Sequence, residues 1–239
     1  MITSLENRTV KDLCRLHQKK YRQDSYLILD EELTFKAYEK GYLQTLVYCG
    51  EKPFDFDETL EVSAEVLAKI AQKEDLHYLG VGKMITESAD FGDKIIILDH
   101  LQDPLNIGRI MEACLLFGFD TLILSENCAD IYNEKCLAHC KGGIYELKIA
   151  HKQLETFIPQ LQEKGTKVYA TGLRNNTREL HELSSVNSCA IILGNEGSGV
   201  RSEIMDLADE IVRIDMCNID SLNVATAAAI VMYHFSVAH

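Results

Sequence analysis

Three short segments carry side chains whose types and spacing can do chemistry, and each follows a predicted strand. The first is Asp103-Pro104-Leu105-Asn106-Ile107-Gly108, an Asp-Pro turn that opens a helix. Asn106 falls at the N-cap or in the first turn, where it either caps the helix or aims a polar group into a cleft at the strand ends. The second is Gly194-Asn195-Glu196-Gly197-Ser198-Gly199, whose glycines permit close backbone approaches. It lacks the Lys-Ser/Thr of a P-loop and the order of GxGxxG. Glu196 would repel a phosphate, so the segment reads as a plain turn or as the seat of a phosphate-free ligand. The third is Ser221-Leu222-Asn223-Val224, with Ser221 as the expected N-cap of a helix. Behind it Ala225, Ala227, Ala228 and Ala229 let that helix approach another backbone closely.

The elements needed to position these segments alternate along the chain. In the first part, ENRTVKDLCRLHQKKYR, EELTFKAYEKG and VSAEVLAKIAQKE read as helices. SYLILD, LQTLVYCG and LHYLGVGKM read as strands between them, which makes a small α/β domain. The polar stretch TESADFGD marks the boundary, with domains expected over 1–88 and 92–239. In the second part, KIIILD, TLILS, YELKIA, KVYATG, CAIILG and EIVRID are short apolar strands separated by helices. That pattern predicts a parallel sheet covered on both faces, with ligands beyond its C-terminal strand ends.

Composition narrows the class. At 46% hydrophobic and 26% charged residues the chain reads as globular, and no apolar run is long enough to span a bilayer. The N-terminus has no signal-peptide pattern, and the scattered cysteines read as reduced cytosolic thiols, so a cytoplasmic location is expected. Cys136, His139 and Cys140 cluster, but no second half follows at zinc spacing, so no metal is expected. The net charge of −13 counts against nucleic acid unless the basic footprint is local. Arg8, Lys11, Arg15, Lys19, Lys20 and Arg22 crowd the first segment, as such a footprint or as a solvated helix face.

Taken together and in order, the three segments resemble the SpoU-type (TrmH-like) RNA 2′-O-ribose methyltransferases of the SPOUT superfamily, over Lys94 to about Phe235. More weakly, VKDLCRLHQKKYR and VSAEVLAKIAQKEDL are similar to landmarks of the family's N-terminal substrate-binding domain. The resemblance implies an α/β fold whose C-terminal parallel-sheet domain carries a deep trefoil knot, beside a small N-terminal α/β domain. It implies S-adenosylmethionine as cofactor, an rRNA or tRNA substrate, and a homodimer built on the helix after Asn106 and the alanine-rich last helix. Carried over, Gly194, Ile214 and Leu222 would line the cofactor site, with Asn195, Glu196, Gly197, Met216, Ser221 and Asn223 beside it.

Two positions depart from the pattern. The family's first motif continues Asn-x-Gly-x-x-x-Arg, and the position of that arginine is Glu112. Arg109 lies one turn earlier and either substitutes for it or pairs with Glu112. The family's Arg-Ala-Ser-x-Gly before the strand at Tyr145 is Ala138-His139-Cys140-Lys141-Gly142. The implied reaction is methyl transfer to a ribose 2′-oxygen, with Asn106, Arg109, Glu112, Glu196, Ser221 and Asn223 as catalytic candidates. The alternative is a catalytically degenerate homologue that binds cofactor or RNA without transfer.

Overall fold

The computed structural model describes residues 1–174, 177–184, 186–217 and 222–236. They form two units, Met1–Thr86 with Asp130–Tyr145, and Glu87–Ala129 with Glu146–His239. The sequence reading keeps 130–145 with the second domain, whereas they group with the first unit.

The first unit begins with α1 (Arg8–Arg15), capped by the Asn7 side chain, which accepts the Thr9 amide. There follow β1 (Ser25–Ile28), α2 (Glu31–Glu39), β2 (Leu43–Tyr48), β3 (Thr59–Glu61), α3 (Ala64–Ala71) and β4 (Tyr78–Lys83). The sheet order is β1-β4-β2-β3, with β4 antiparallel to β1 and β2, and β3 parallel to β2. Val10, Leu27, Val47, Val66, Ile70 and Leu79 close its core. The expected first helix is cut short at Arg15, and Arg22 folds back instead. Its guanidinium donates to the Leu16 and His17 carbonyls at 2.6 and 2.7 Å and to Asp130 at 2.5 Å. That buried pairing removes Arg22 from the basic footprint.

In the second unit β5 (Lys94–Leu98) leads through α4 (Pro104–Phe117) to β6 (Thr121–Leu124). The chain then returns to the first unit for α5 (Glu134–Leu137) and enters α6 (Gly143–Glu146). A strand starting at Tyr145 is the sequence expectation. Instead Tyr145 lies in α6, and its hydroxyl meets that of buried Tyr26 at 2.7 Å. The remaining elements are β7 (Lys148–His151), α7 (Leu154–Glu163), β8 (Lys167–Thr171), β9 (Arg178–Glu179), β10 (Cys189–Leu193), α8 (Ser202–Met205), β11 (Glu210–Arg213) and α9 (Val224–Ser236). The all-parallel order is β7-β6-β5-β10-β8-β11-β9.

β10 is buried throughout and β5 from Ile95 onward, which is why IIIL and CAIIL read as continuous apolar runs. After β5 the chain builds outward through β6 and β7, and only later places β10 and β8 on the other side of β5. The order therefore reverses beside β5, and the loops leaving β5 and β10 meet at their C-terminal ends. Helix α9 packs against α4 within this unit. Among the described residues no helix is long and apolar enough to cross a membrane.

Candidate active site

Asp103, not Asn106, is the N-cap of α4; it accepts the Leu105 amide at 3.0 Å, and Pro104 follows at a position that needs no donor. This places Asn106 in the first turn, facing inward and only 3% exposed. Its amide nitrogen donates to Glu196 Oε1 at 3.1 Å, and its Oδ1 accepts from Asn223 Nδ2 at 3.1 Å. Asn223 Oδ1 in turn accepts the Ala225 and Thr226 amides at 2.9 and 3.3 Å. Asn223 therefore does the capping of α9 that was expected of Ser221. Ser221 itself lies outside the described residues.

Glu196 is held from several sides. Besides Asn106, it accepts the Asp103 amide at 3.1 Å and the Gln102 amide at 3.3 Å. Burial pushes its carboxyl up, but the Asn106 amide and the backbone donors outweigh that and hold it below the usual value. Every partner donates, so the arrangement favours the carboxylate.

The glycine segment is a closed turn. Asn195 and Gly199 exchange backbone hydrogen bonds at 3.0 and 2.9 Å, and Asn195 Oδ1 accepts the Gly197 and Ser198 amides. Its Nδ2 donates to the His100 carbonyl at 2.9 Å. Gly199 has φ +72°, and a Cβ on Gly194 would lie 2.1 Å from the Gly199 carbonyl carbon and the Val200 nitrogen. At Gly194, then, the missing side chain makes room for the loop's own return.

These residues border a cavity of about 320 Å³ at the C-terminal ends of β8, β10 and β11, closed on another side by the start of α9. Leu193, Val212, Ile214, Leu222 and Val231 give it apolar walls; Gly194, Asn195, Glu196, Met216 and Asn223 also line it. Gly197 sits in the same turn but does not line the cavity. The size and the largely apolar lining with a few polar groups suit a small organic ligand. Among the described residues the one cation that lines the cavity is Arg213, already paired with Glu179, and these walls suit a ligand without phosphate.

Arg109 is exposed and Glu112 half-buried on α4. Among the described residues they form no ion pair with each other, so the expected alternative of pairing is not seen. Cys136 and Cys140 are both buried, and burial raises both thiols, well above the ordinary value at Cys136. Sequence reasoning missed Asp99 and Arg201. Asp99 is fully buried at the end of β5 and accepts Arg201 Nε at 2.8 Å. A buried acid after a strand and a lone Arg after the glycines were visible as residues, but only the fold brings them together.

Residues 93–233 match the SpoU rRNA Methylase family. The chain is 30% identical to the 23S rRNA (guanosine(2553)-2′-O)-methyltransferase RlmP of Bacillus subtilis, covering 98% of each chain. It superposes on an AdoMet-bound rRNA methyltransferase from Sinorhizobium meliloti with a TM-score of 0.87 and 26% identity, over 98% of this chain and 95% of that one. The SpoU methyltransferase AviRb from Streptomyces viridochromogenes shares the fold, with a TM-score of 0.85 at 20% identity over 96% of each chain.

Proposed function

The chain belongs to the SpoU rRNA Methylase family, and from that premise we propose that it transfers a methyl group from S-adenosylmethionine to a ribose 2′-oxygen of ribosomal RNA. The observation that carries this reading is the hydrogen-bonded series Glu196–Asn106–Asn223, which joins all three motifs beside one largely apolar cavity. When bound there, the cofactor supplies a methyl group made electrophilic by its sulfonium.

The chain's own residues then bind and orient. Leu193, Gly194, Ile214, Met216 and Leu222 form the slot for the cofactor, and Asn195 holds the turn that closes it. Glu196, Asn106 and Asn223 fix the two helix starts at the cavity wall, so that the 2′-hydroxyl and the methyl group meet in line, a contribution of proximity and orientation. Glu196 acts as an anchor here; a carboxylate already accepting three donors, with its pKa held low, is a weak proton acceptor. Glu112 on α4 stands where the family motif has arginine; its carboxylate is the candidate for accepting the proton, and Arg109, one turn earlier, is the candidate for meeting the RNA phosphate.

The rest of the reading follows the family. The region from the glycine turn to α9 would form the trefoil knot. The homodimer would be built on α4 and α9, where Leu116 is 71% and Tyr233 59% exposed. The first unit would take RNA through Lys19, Lys20 and exposed Tyr21, with Lys20 4.9 Å above the ring. The location would be cytoplasmic. The relatives carry the names of methyltransferases, and nothing in them favours binding without transfer.

Labelled S-adenosylmethionine, incubated with the protein and ribosomal RNA lacking the modification, tests the reading. The expected product is a 2′-O-methylated nucleotide after digestion. Label found only on bases, or no transfer to any RNA, would overturn it.

A further inference from the structure

The three motifs do not hold the cofactor turn alone. β5 and β10 run side by side to Leu98 and Leu193, and the Asp99 amide extends the ladder by donating to the Leu193 carbonyl at 2.9 Å. There the two chains must part, one into the 100–103 segment, the other into the glycine turn. The turn comes back at Arg201. Its backbone amide donates to Asp99 Oδ2 at 2.9 Å and its Nε to Asp99 Oδ1 at 2.8 Å. Asp99 therefore touches both ends of the turn, through its own backbone at the start and its carboxylate at the finish. Its side chain is wholly buried, while that of Arg201 is 25% exposed and reaches Glu155 and Glu203 on its outer side.

We propose that Asp99 and Arg201 are positioning residues for the reaction, a latch that sets where Gly194, Asn195 and Glu196 stand against the cofactor slot. The proposal rests on the methyltransferase reading for the identity of the ligand but not for the latch itself. The chemistry favours the pair for this task. A buried carboxylate that accepts two donors from one residue fixes both the direction and the distance of the returning strand. A mobile turn would leave Glu196 free to leave the Gln102 and Asp103 amides, and Asn106 would lose its acceptor. The outer carboxylates add little, since exposed pairs are weak.

Two variants separate positioning from plain stability. Arg201→Met leaves a buried carboxylate short of a partner and is expected to destabilise the protein. The double variant Asp99→Leu/Arg201→Met removes both charges, and apolar replacement of a buried pair commonly restores stability. It does not restore the tie to the Arg201 backbone amide. S-adenosylhomocysteine affinity, measured by calorimetry on the full chain, is expected to fall about tenfold or more in both variants, the scale of a lost charge-assisted hydrogen bond. Glu155→Gln and Glu203→Gln are expected to bind like the unmodified protein. Affinity within threefold of the unmodified protein in Arg201→Met, or recovery of affinity together with stability in the double variant, would overturn the latch.

Amide hydrogen exchange without any ligand provides the second readout. The Asn195, Gly199 and Asp103 amides, bonded within the turn or to Glu196, should exchange about tenfold faster in Arg201→Met than in the unmodified protein. Unchanged protection there would defeat the proposal even if the double variant failed to fold. If the unmodified protein binds no S-adenosylhomocysteine but the exchange result holds, the cofactor assignment fails and the latch stands.

Discussion

Asn223 donates its side-chain amide to Asn106 Oδ1 across 3.1 Å, and this one bond joins the starts of two helices 117 residues apart in the chain. The bond fixes its own direction. Asn223 Oδ1 is committed to the Ala225 and Thr226 amides, so its nitrogen must face Asn106. Asn106 must then accept with its oxygen and donate with its nitrogen, and Glu196 must be the acceptor at the end.

Substitution at Asn223 separates the two tasks. Asn223→Ser retains a capping oxygen but loses the reach to Asn106, whereas Asn223→Ala loses both. Thermal or denaturant unfolding should show Asn223→Ala less stable than Asn223→Ser by about 1 kcal/mol, the usual worth of an N-cap. Methyl transfer should fall by about 10²-fold in both, the scale of a small misplacement at a reacting site. Full activity in Asn223→Ser would show that the bond to Asn106 plays no part in the reaction.

The pH dependence follows from Glu196. Its folded-state pKa is held below the ordinary 4.5, so its contribution is complete above that value and is lost as pH falls through the lower folded value. S-adenosylhomocysteine affinity should therefore hold steady from neutrality down to about pH 4.5 and weaken below it, as long as the protein stays folded. Glu196→Gln, whose amide would confront backbone donors, should bind weakly throughout and show no such break. An equally steep loss in the Gln variant would assign the effect to another group.

Gly194→Ala should be costly. The new Cβ would meet backbone atoms of Gly199 and Val200 at 2.1 Å, and backbone cannot move aside as a flexible side chain can. Overpacking of this kind costs about 1–3 kcal/mol. The melting temperature and the cofactor affinity should both fall. A stable variant with unchanged affinity would mean that the turn can open without loss.

Two substitutions test whether Glu112 takes part in the reaction. If it acts as a base, Glu112→Gln should lower methyl transfer by about 10²–10⁴-fold, and Glu112→Arg should do no better. If the carboxylate only replaces a lost cation, Glu112→Arg should raise transfer. Rates within twofold for both variants would show a solvated helix residue, which leaves Arg109 as the remaining candidate on that helix.

Dimer formation can be checked at Leu116 and Tyr233, the most exposed apolar side chains on α4 and α9. Light scattering at micromolar concentration should give twice the chain mass, and Leu116→Lys with Tyr233→Lys should give a monomer. A monomeric unmodified protein would remove the assembly from the reading.

The apolar runs KIIIL and CAIIL announced a parallel sheet because both faces of those strands are covered, and the strands formed where expected. The roles within the motifs were harder to read. Asn106 and Asp103 are both good caps, and only the backbone shows that Asp103 takes the task and turns Asn106 inward. The same ambiguity moved the cap of α9 from Ser221 to Asn223. β3 and β9, three and two residues long, are too short to leave a periodic trace, and they exist because neighbouring strands offer edges. Asp99 and Arg201 carry no local signal, since their meaning depends on two strands paired across most of the second half.

Membership of Asp130–Tyr145 in the first unit bears on how the protein is made. A ribosome releasing the chain from its N-terminus delivers β1 to β4 long before α5. Until then Arg22 lacks Asp130 and the Tyr26 hydroxyl lacks Tyr145. The nascent first unit must wait with a cation and a phenol destined for burial still unmatched, while β5, α4 and β6 of the other unit emerge in between. A fragment ending near residue 88 would leave Arg22 without Asp130 and the Tyr26 hydroxyl without Tyr145, and the two helices that follow cannot be supplied by extending it a little.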